Sequence, residues 1–223
     1  MIPLRDTVRS KSIPFANYSL IIICGLVFFY EISAGGQVGR IFNRFGVIPA
    51  VVISTFSPRG FDLHPVLSLL TSMFLHGGWF HLMGNMLFLY VFGDNVEDRL
   101  GHLRYLIFYL LAGVSASLVE VFFRPESVVP LIGASGAIAG VMGAYFLLFP
   151  KARVTTMIPL IVFFPVVDLP AFVFLGVWLL FQFLQASTGY ANASGGGVAW
   201  WAHAGGFIVG AFLLLIFLLL RRK

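Results

Sequence analysis

Apolar residues run in long blocks along this chain, and polar residues gather in the gaps between them. A membrane-crossing helix needs about 20 predominantly apolar residues. Six blocks approach that length: residues 17–33, 78–92, 105–123, 135–149, 169–186 and 200–220. A further apolar stretch, 154–167, contains Pro159 and Pro165 and is followed by Pro170. Proline removes a backbone donor and breaks helices, so this stretch reads as a re-entrant or interfacial approach to the fifth block. The pattern predicts an all-α membrane protein, one domain over residues 1–223 built as a six-helix bundle.

Two of these segments carry more detail. Between the first and second blocks, Val38, Ile41, Phe42 and Phe45 fall at i, i+3, i+4 and i+7, with Arg40, Asn43 and Arg44 between them. That spacing fits a short helix, either lying in the membrane interface or packed on the bundle. The fourth block, 135–149, makes only about 22 Å of helix, against a hydrocarbon core of about 30 Å. If Phe149-Pro150-Lys151 marks the inner surface, Ser135 lies below the outer one. Residues 126–134 then descend as non-helical backbone, which is tolerated only when shielded by protein or lining a water-filled cavity. The expectation is an outward-facing aqueous pocket with Ser135 on its floor.

Composition agrees with a bilayer. The 223 residues are 59% hydrophobic and 10% charged, where a soluble domain carries roughly 25% charge. The net charge of +5 does not point to nucleic acid, because the basic residues flank apolar blocks instead of forming a face. With six spans and the N-terminus inside, Arg5, Arg9, Lys11, Arg99, Arg104, Lys151, Arg153, Arg221, Arg222 and Lys223 fall on the cytoplasmic side. Only Arg40, Arg44, Arg59 and Arg124 fall outside, as the positive-inside rule requires. A seventh span would reverse the last three charges. Both termini are therefore expected in the cytoplasm, and the expected partners are membrane lipid and membrane proteins. The polar start, 1–11, precedes a run without a small-residue cleavage site, so the first block reads as a retained span. Cys24, the single cysteine, forms no intrachain disulfide and reads as a packing residue.

Few polar groups interrupt the blocks. Ser135 stands in Gly133-Ala134-Ser135-Gly136 at the head of the fourth. The second opens His76-Gly77-Gly78-Trp79-Phe80-His81 and continues to Asn85, so His81 and Asn85 share a helix face. His203 lies near the start of the sixth. All belong to the same leaflet, and polar side chains at such depth usually face the bundle interior. Small residues form rows at Gly136, Gly140 and Ala144, at Ala139 and Gly143, and at Gly206 and Gly210, which permit close helix approach. Packing along these rows would bring Ser135 towards His203, a nucleophile towards a base. Asn85, His81 and the free backbone N–H of Ser135 are candidate donors to an oxyanion. Gly133 and Gly136 allow tight backbone geometry around the serine.

No acid completes a triad. Asp94, Glu97, Asp98 and Asp168 belong to the inner side, and Glu126 stands in a surface turn. A Ser–His dyad is the economical reading. Each feature has a structural alternative: the serine as a packing residue, the histidines and Asn85 as interhelical hydrogen-bonding groups, His64 and His102 as structural side chains. There is no His-Glu-x-x-His motif and no carboxylate expected in the outer-leaflet cavity, so no metal or cofactor is expected.

Together these motifs resemble the rhomboid intramembrane serine proteases in their basic six-helix bacterial form. The resemblance rests on Ile2-Pro3-Leu4-Arg5-Asp6, on His76 to Asn85 continuing into Gly93-Asp94-Asn95-Val96-Glu97-Asp98, on Gly133-Ala134-Ser135-Gly136, and on Ala202-His203-Ala204-Gly205-Gly206. It implies Ser135 as nucleophile, His203 as base, His81 and Asn85 near the oxyanion and His76 in support. It also implies substrates that are membrane proteins with helix-weakening residues. Many relatives carry a Trp-Arg pair before the second helix, where this chain has Pro65-Val66-Leu67-Ser68. The family has inactive members lacking the serine or the histidine, whereas this chain has both. A silent rhomboid-like binding protein is the first rival. A small transporter is the second, although it predicts midplane polar groups and an internal repeat.

Overall fold

A computed structural model describes residues 1–55, 62–188 and 197–221. Arg59, Arg222 and Lys223, used above as topology signals, lie outside them. The helices are α1 (Phe15–Ser33), α2 (Val38–Phe45), α3 (Pro49–Thr55), α4 (Leu63–Thr71), α5 (Trp79–Leu100), α6 (His102–Phe123), α7 (Ser135–Leu148), α8 (Ala171–Thr188) and α9 (Trp200–Arg221). Four of them, α1, α6, α8 and α9, are long and apolar enough to cross a membrane. A fifth candidate is α4 with its following turn plus α5, bent by 80° at the break. The protein is an integral membrane protein.

The core is made where α7 lies between α5, α6 and α9. The small-residue rows meet there: a Cβ on Gly140 would lie 3.3 Å from the Gly206 carbonyl oxygen and 3.6 Å from the Gly210 Cα. A Cβ on Gly143 would lie 3.2 Å from the Ala211 nitrogen. Larger residues would wedge α7 away from α9. Further along, Phe92, Tyr145 and Phe174 close the core with ring contacts of 5.0 and 6.0 Å from Phe92.

The expectation of an all-α chain misses a three-stranded antiparallel sheet in the order β1-β2-β3, formed by β1 (Ile2–Asp6), β2 (Arg153–Met157) and β3 (Val166–Pro170). Residues 154–167, read as a re-entrant or interfacial approach, are thus part of a β-hairpin. Val154, Thr155 and Thr156 are β-branched, and β2 alternates in burial as a strand half-covered on one face does. Asp168 accordingly sits on a strand, accepting from Thr155 Oγ1 at 2.7 Å, and α8 begins two residues later than read, at Ala171.

Two further boundaries move. The second block extends from Phe92 to Leu100, because Asp94, Glu97 and Asp98 find partners inside the protein and do not end the helix. The segment between α1 and α5 holds α3 and α4 besides the anticipated α2. α4 is capped by Asp62, whose side chain accepts from the His64 N–H at 2.9 Å.

The sheet end of the bundle is tied together by acids on α5. Glu97 accepts from the backbone N–H groups of Ala16 and Asn17 at 2.9 and 2.7 Å, capping α1 from another helix. It also contacts His102. Asp98 accepts from the Lys11 and Ser12 N–H groups. Asp6 accepts from Asn95 and from the Tyr145 hydroxyl.

Candidate active site

The turn before α7 is fixed by backbone bonds to distant segments. The Val47 N–H donates to the Leu131 oxygen at 3.0 Å, and Leu131 donates back at 2.7 Å. Gly133 donates to the Ser72 oxygen at 2.9 Å. Residues 124–134 are non-helical as expected, and these bonds satisfy backbone that a bilayer would leave unpaired. Gly133 adopts φ +122°, a conformation that favours glycine. α7 then starts at Ser135, leaving its first N–H groups without helical partners.

α9 enters from the other side. Glu120 on α6 is buried and accepts from the Ala202 N–H at 2.9 Å, with Arg124 3.7 Å from its other oxygen. This holds the first turn of α9, where His203 lies one residue further on. His203 Nε2 is 2.7 Å from Ser135 Oγ.

The imidazole's other nitrogen also has a partner. His203 Nδ1 is 2.9 Å from Gln182 Oε1 on α8. Gln182 is 3% exposed, and its own amide N–H donates to the Trp178 carbonyl at 3.1 Å. That bond turns the amide oxygen towards His203, so Nδ1 carries the proton and Nε2 is left to accept from the serine. Trp178 and Trp200 flank the ring with centroids 6.0 Å away.

His81 and Asn85 stand across Gly133. A Cβ at Gly133 would lie 2.7 Å from His81 Nε2 and 3.7 Å from Asn85 Nδ2. His81 Nδ1 accepts from the Gly77 N–H at 3.3 Å, so its proton sits on Nε2, the nitrogen nearer Gly133. Asn85 is buried, and its Nδ2 has no partner among the described residues. His76 stacks edge-on with His81 at 5.2 Å, and its backbone N–H donates to buried Glu31 on α1 at 3.1 Å. Its Nδ1 lies 3.2 Å from the Phe74 oxygen, and Nε2 has no partner among the described residues. Gly136 allows a close approach, since a Cβ there would lie 2.7 Å from that of Ala116. Ser135 also borders a small cavity lined by Ser72, Gly113, Ser117, Leu131 and Gly133. Among the described residues, no three His, Cys, Asp or Glu side chains are arranged to hold a metal ion.

The arrangement places a hydroxyl on an imidazole of defined tautomer, with several unused donors on the far side of the serine. The Rhomboid domain family matches residues 64–220, which contain every one of these groups except Glu31 and Val47. The chain belongs to the rhomboid family. Over 153 residues it is 33% identical to the rhomboid named Rhomboid protein 1, mitochondrial, of Saccharomyces cerevisiae, covering 65% of this chain and 40% of that one. It is 43% identical over 70 residues to Rhomboid-like protein 11, chloroplastic, of Arabidopsis thaliana, covering 31% and 25% of the two chains. It is 45% identical over 76 residues to Rhomboid protease GluP of Bacillus subtilis, covering 34% and 14%. The chain thus spans 40% or less of the length of these rhomboid relatives.

Ser135, His203, His81, Asn85, His76, Gly133 and Gly136 all come from the sequence reading, and all lie around one point. Gln182, Glu120 and Glu31 do not. Each is a lone amide or acid inside an apolar run, a signal that marks inward-facing polar groups in membrane helices. The sequence reading sought only a carboxylate as third partner and so passed over the amide.

Proposed function

We propose that this protein is an intramembrane serine endopeptidase that cuts membrane-protein substrates. The observation that carries the reading is the 2.7 Å contact between Ser135 Oγ and His203 Nε2 with His203 Nδ1 held by Gln182. A serine placed only for packing has no need of an imidazole whose tautomer is fixed to accept its proton.

In this reading the single domain spans the bilayer six times, with α1, α5, α6, α7, α8 and α9 as the spans. α7 is the short one, at 14 residues, and α2 lies along the interface. Both termini face the cytoplasm, and the site faces the outer leaflet. The distribution of Lys and Arg supports that orientation.

Ser135 Oγ attacks a peptide carbonyl as His203 Nε2 takes its proton. The developing oxyanion is met by the Asn85 amide, His81 Nε2–H and the Ser135 N–H. His203 returns the proton to the leaving amine, which departs with the C–N bond. Water then attacks the acyl-serine as His203 Nε2 takes its proton; the ester bond to Oγ breaks, His203 returns the proton to Ser135 Oγ, and the carboxylic product leaves. Gln182 keeps Nδ1 protonated throughout, and no step calls on a metal or cofactor. The substrate presents an extended backbone, so segments with helix-weakening residues are favoured.

The test is cleavage of a single-span reporter by reconstituted protein. Ser135→Ala and His203→Ala should each lower turnover to background, a loss of about 10⁴-fold or more, with unchanged thermal stability. Cleavage retained in Ser135→Ala would overturn the mechanism.

A further inference from the structure

We propose that the tip of the β2–β3 hairpin is a lipid anchor, seated in the bilayer leaflet at the sheet end of the bundle. The hairpin closes through a two-residue turn: the Leu160 N–H donates to the Phe163 oxygen at 2.8 Å and the Phe163 N–H donates back at 2.5 Å. Ile161 and Val162 occupy the two corners. Ile161 has φ +36°, a conformation that β-branched residues rarely adopt. Turns of this kind use Gly, Asn or Asp at the corners because those residues accept positive φ. Here backbone strain is accepted, and the result is an apolar tip.

Among the described residues nothing covers that tip. Ile161 is 99% exposed and Val162 89%, and Leu160, Phe163, Phe164 and Val166 are each more than half exposed. No charged residue occurs from Val154 to Val167. Such a contiguous apolar projection is foreign to a water-facing loop.

Its place in the fold selects lipid as the occupant. β3 ends at Pro170 and α8 begins at Ala171, with no linker. α8 is a candidate span whose exposed face carries Phe172, Val177, Leu180 and Phe181. The tip therefore continues a lipid-facing surface. Lys151 and Arg153, exposed at the root of the hairpin, suit the anionic headgroups of the same leaflet. Interfacial anchors set how a helix stands in the bilayer. This one adjoins the helix that carries Gln182.

The proposal rests on α8 as a span, and the experiment separates the two. The full chain with Cys24→Ala and Phe163→Cys, labelled with an environment-sensitive NBD group, is reconstituted in vesicles of phosphatidylcholine and phosphatidylglycerol. A matching protein carries Leu180→Cys on the α8 face. The expected result is loss of Phe163-label emission with nitroxide-bearing lipids and protection from aqueous iodide. Quenching of that label by iodide alone places the tip in water and overturns the proposal. Protection from both quenchers means that a protein covers it, which also overturns it. If the Leu180 label too escapes lipid quenching, α8 as a span fails first.

Discussion

The two ends of α7 both bury polar side chains, to opposite effect. At the sheet end, Glu97, Asp98, Asp6, Asn95 and Tyr145 bind one another or the first N–H groups of α1 and the segment before it. The bonds these groups make hold the chain together, although Asn95 Oδ1 is buried without a partner among the described residues. At the other end, Asn85 Nδ2 and His76 Nε2 are buried without partners among the described residues, and His81 Nε2–H points to the glycine turn before Ser135. An unpaired buried polar group costs about 1–3 kcal/mol, so stability alone does not explain keeping two of them together. The contrast separates polar residues that build the bundle from polar residues that, in the proposed function, are kept for a reactant.

Substitutions should respect that division. Asn85→Ala is expected to lower turnover by about 10²–10³-fold, as loss of an oxyanion donor does, while thermal stability holds or rises. A stability loss in step with activity would move Asn85 into the structural group. Glu97→Ala should do the reverse. Losing charge-assisted bonds to buried N–H groups costs about 1.5–3 kcal/mol, read as a lower melting temperature in detergent, with turnover per folded molecule preserved.

Gln182→Leu tests the border between the two groups. It removes the group that fixes the His203 tautomer, and turnover should fall by up to about 10²-fold. Gln182→Glu, which still accepts from Nδ1, should recover much of the loss and raise the apparent pKa of the pH–rate profile. A structural role alone would leave that profile in place.

The smallest effect concerns Asp6. Burial raises its carboxyl from 3.8 to about 6, against the lowering effect of the Tyr145 hydrogen bond. The fold therefore binds a proton more tightly than the unfolded chain. The favourable contribution is fully present below the unfolded value and is lost as pH rises through about 6. Melting temperature should drift downward over that window in the parent and stay flatter in Asp6→Asn.

Much of this was legible because lipid restricts what a sequence can mean. Apolar blocks must be helices, so α1, α6, α7 and α9 were read to within a few residues. Lone polar residues within blocks gave Ser135, His203, His81 and Asn85. What escaped depended on tertiary partners. The acids after Phe92 looked like the end of a helix, because nothing local shows that Glu97 caps α1. The run after Lys151 looked like a failed span, because its pairing partner, β1, is about 150 residues earlier in the chain. Gln182 escaped because chemistry suggested a carboxylate where the protein uses an amide.

Glu120 has a consequence for engineering. It grips α9 through the Ala202 backbone, two residues into the helix, so the His203 imidazole takes its register from α6. Redesign of α6 must therefore leave Glu120 in place if His203 is to keep its position against Ser135.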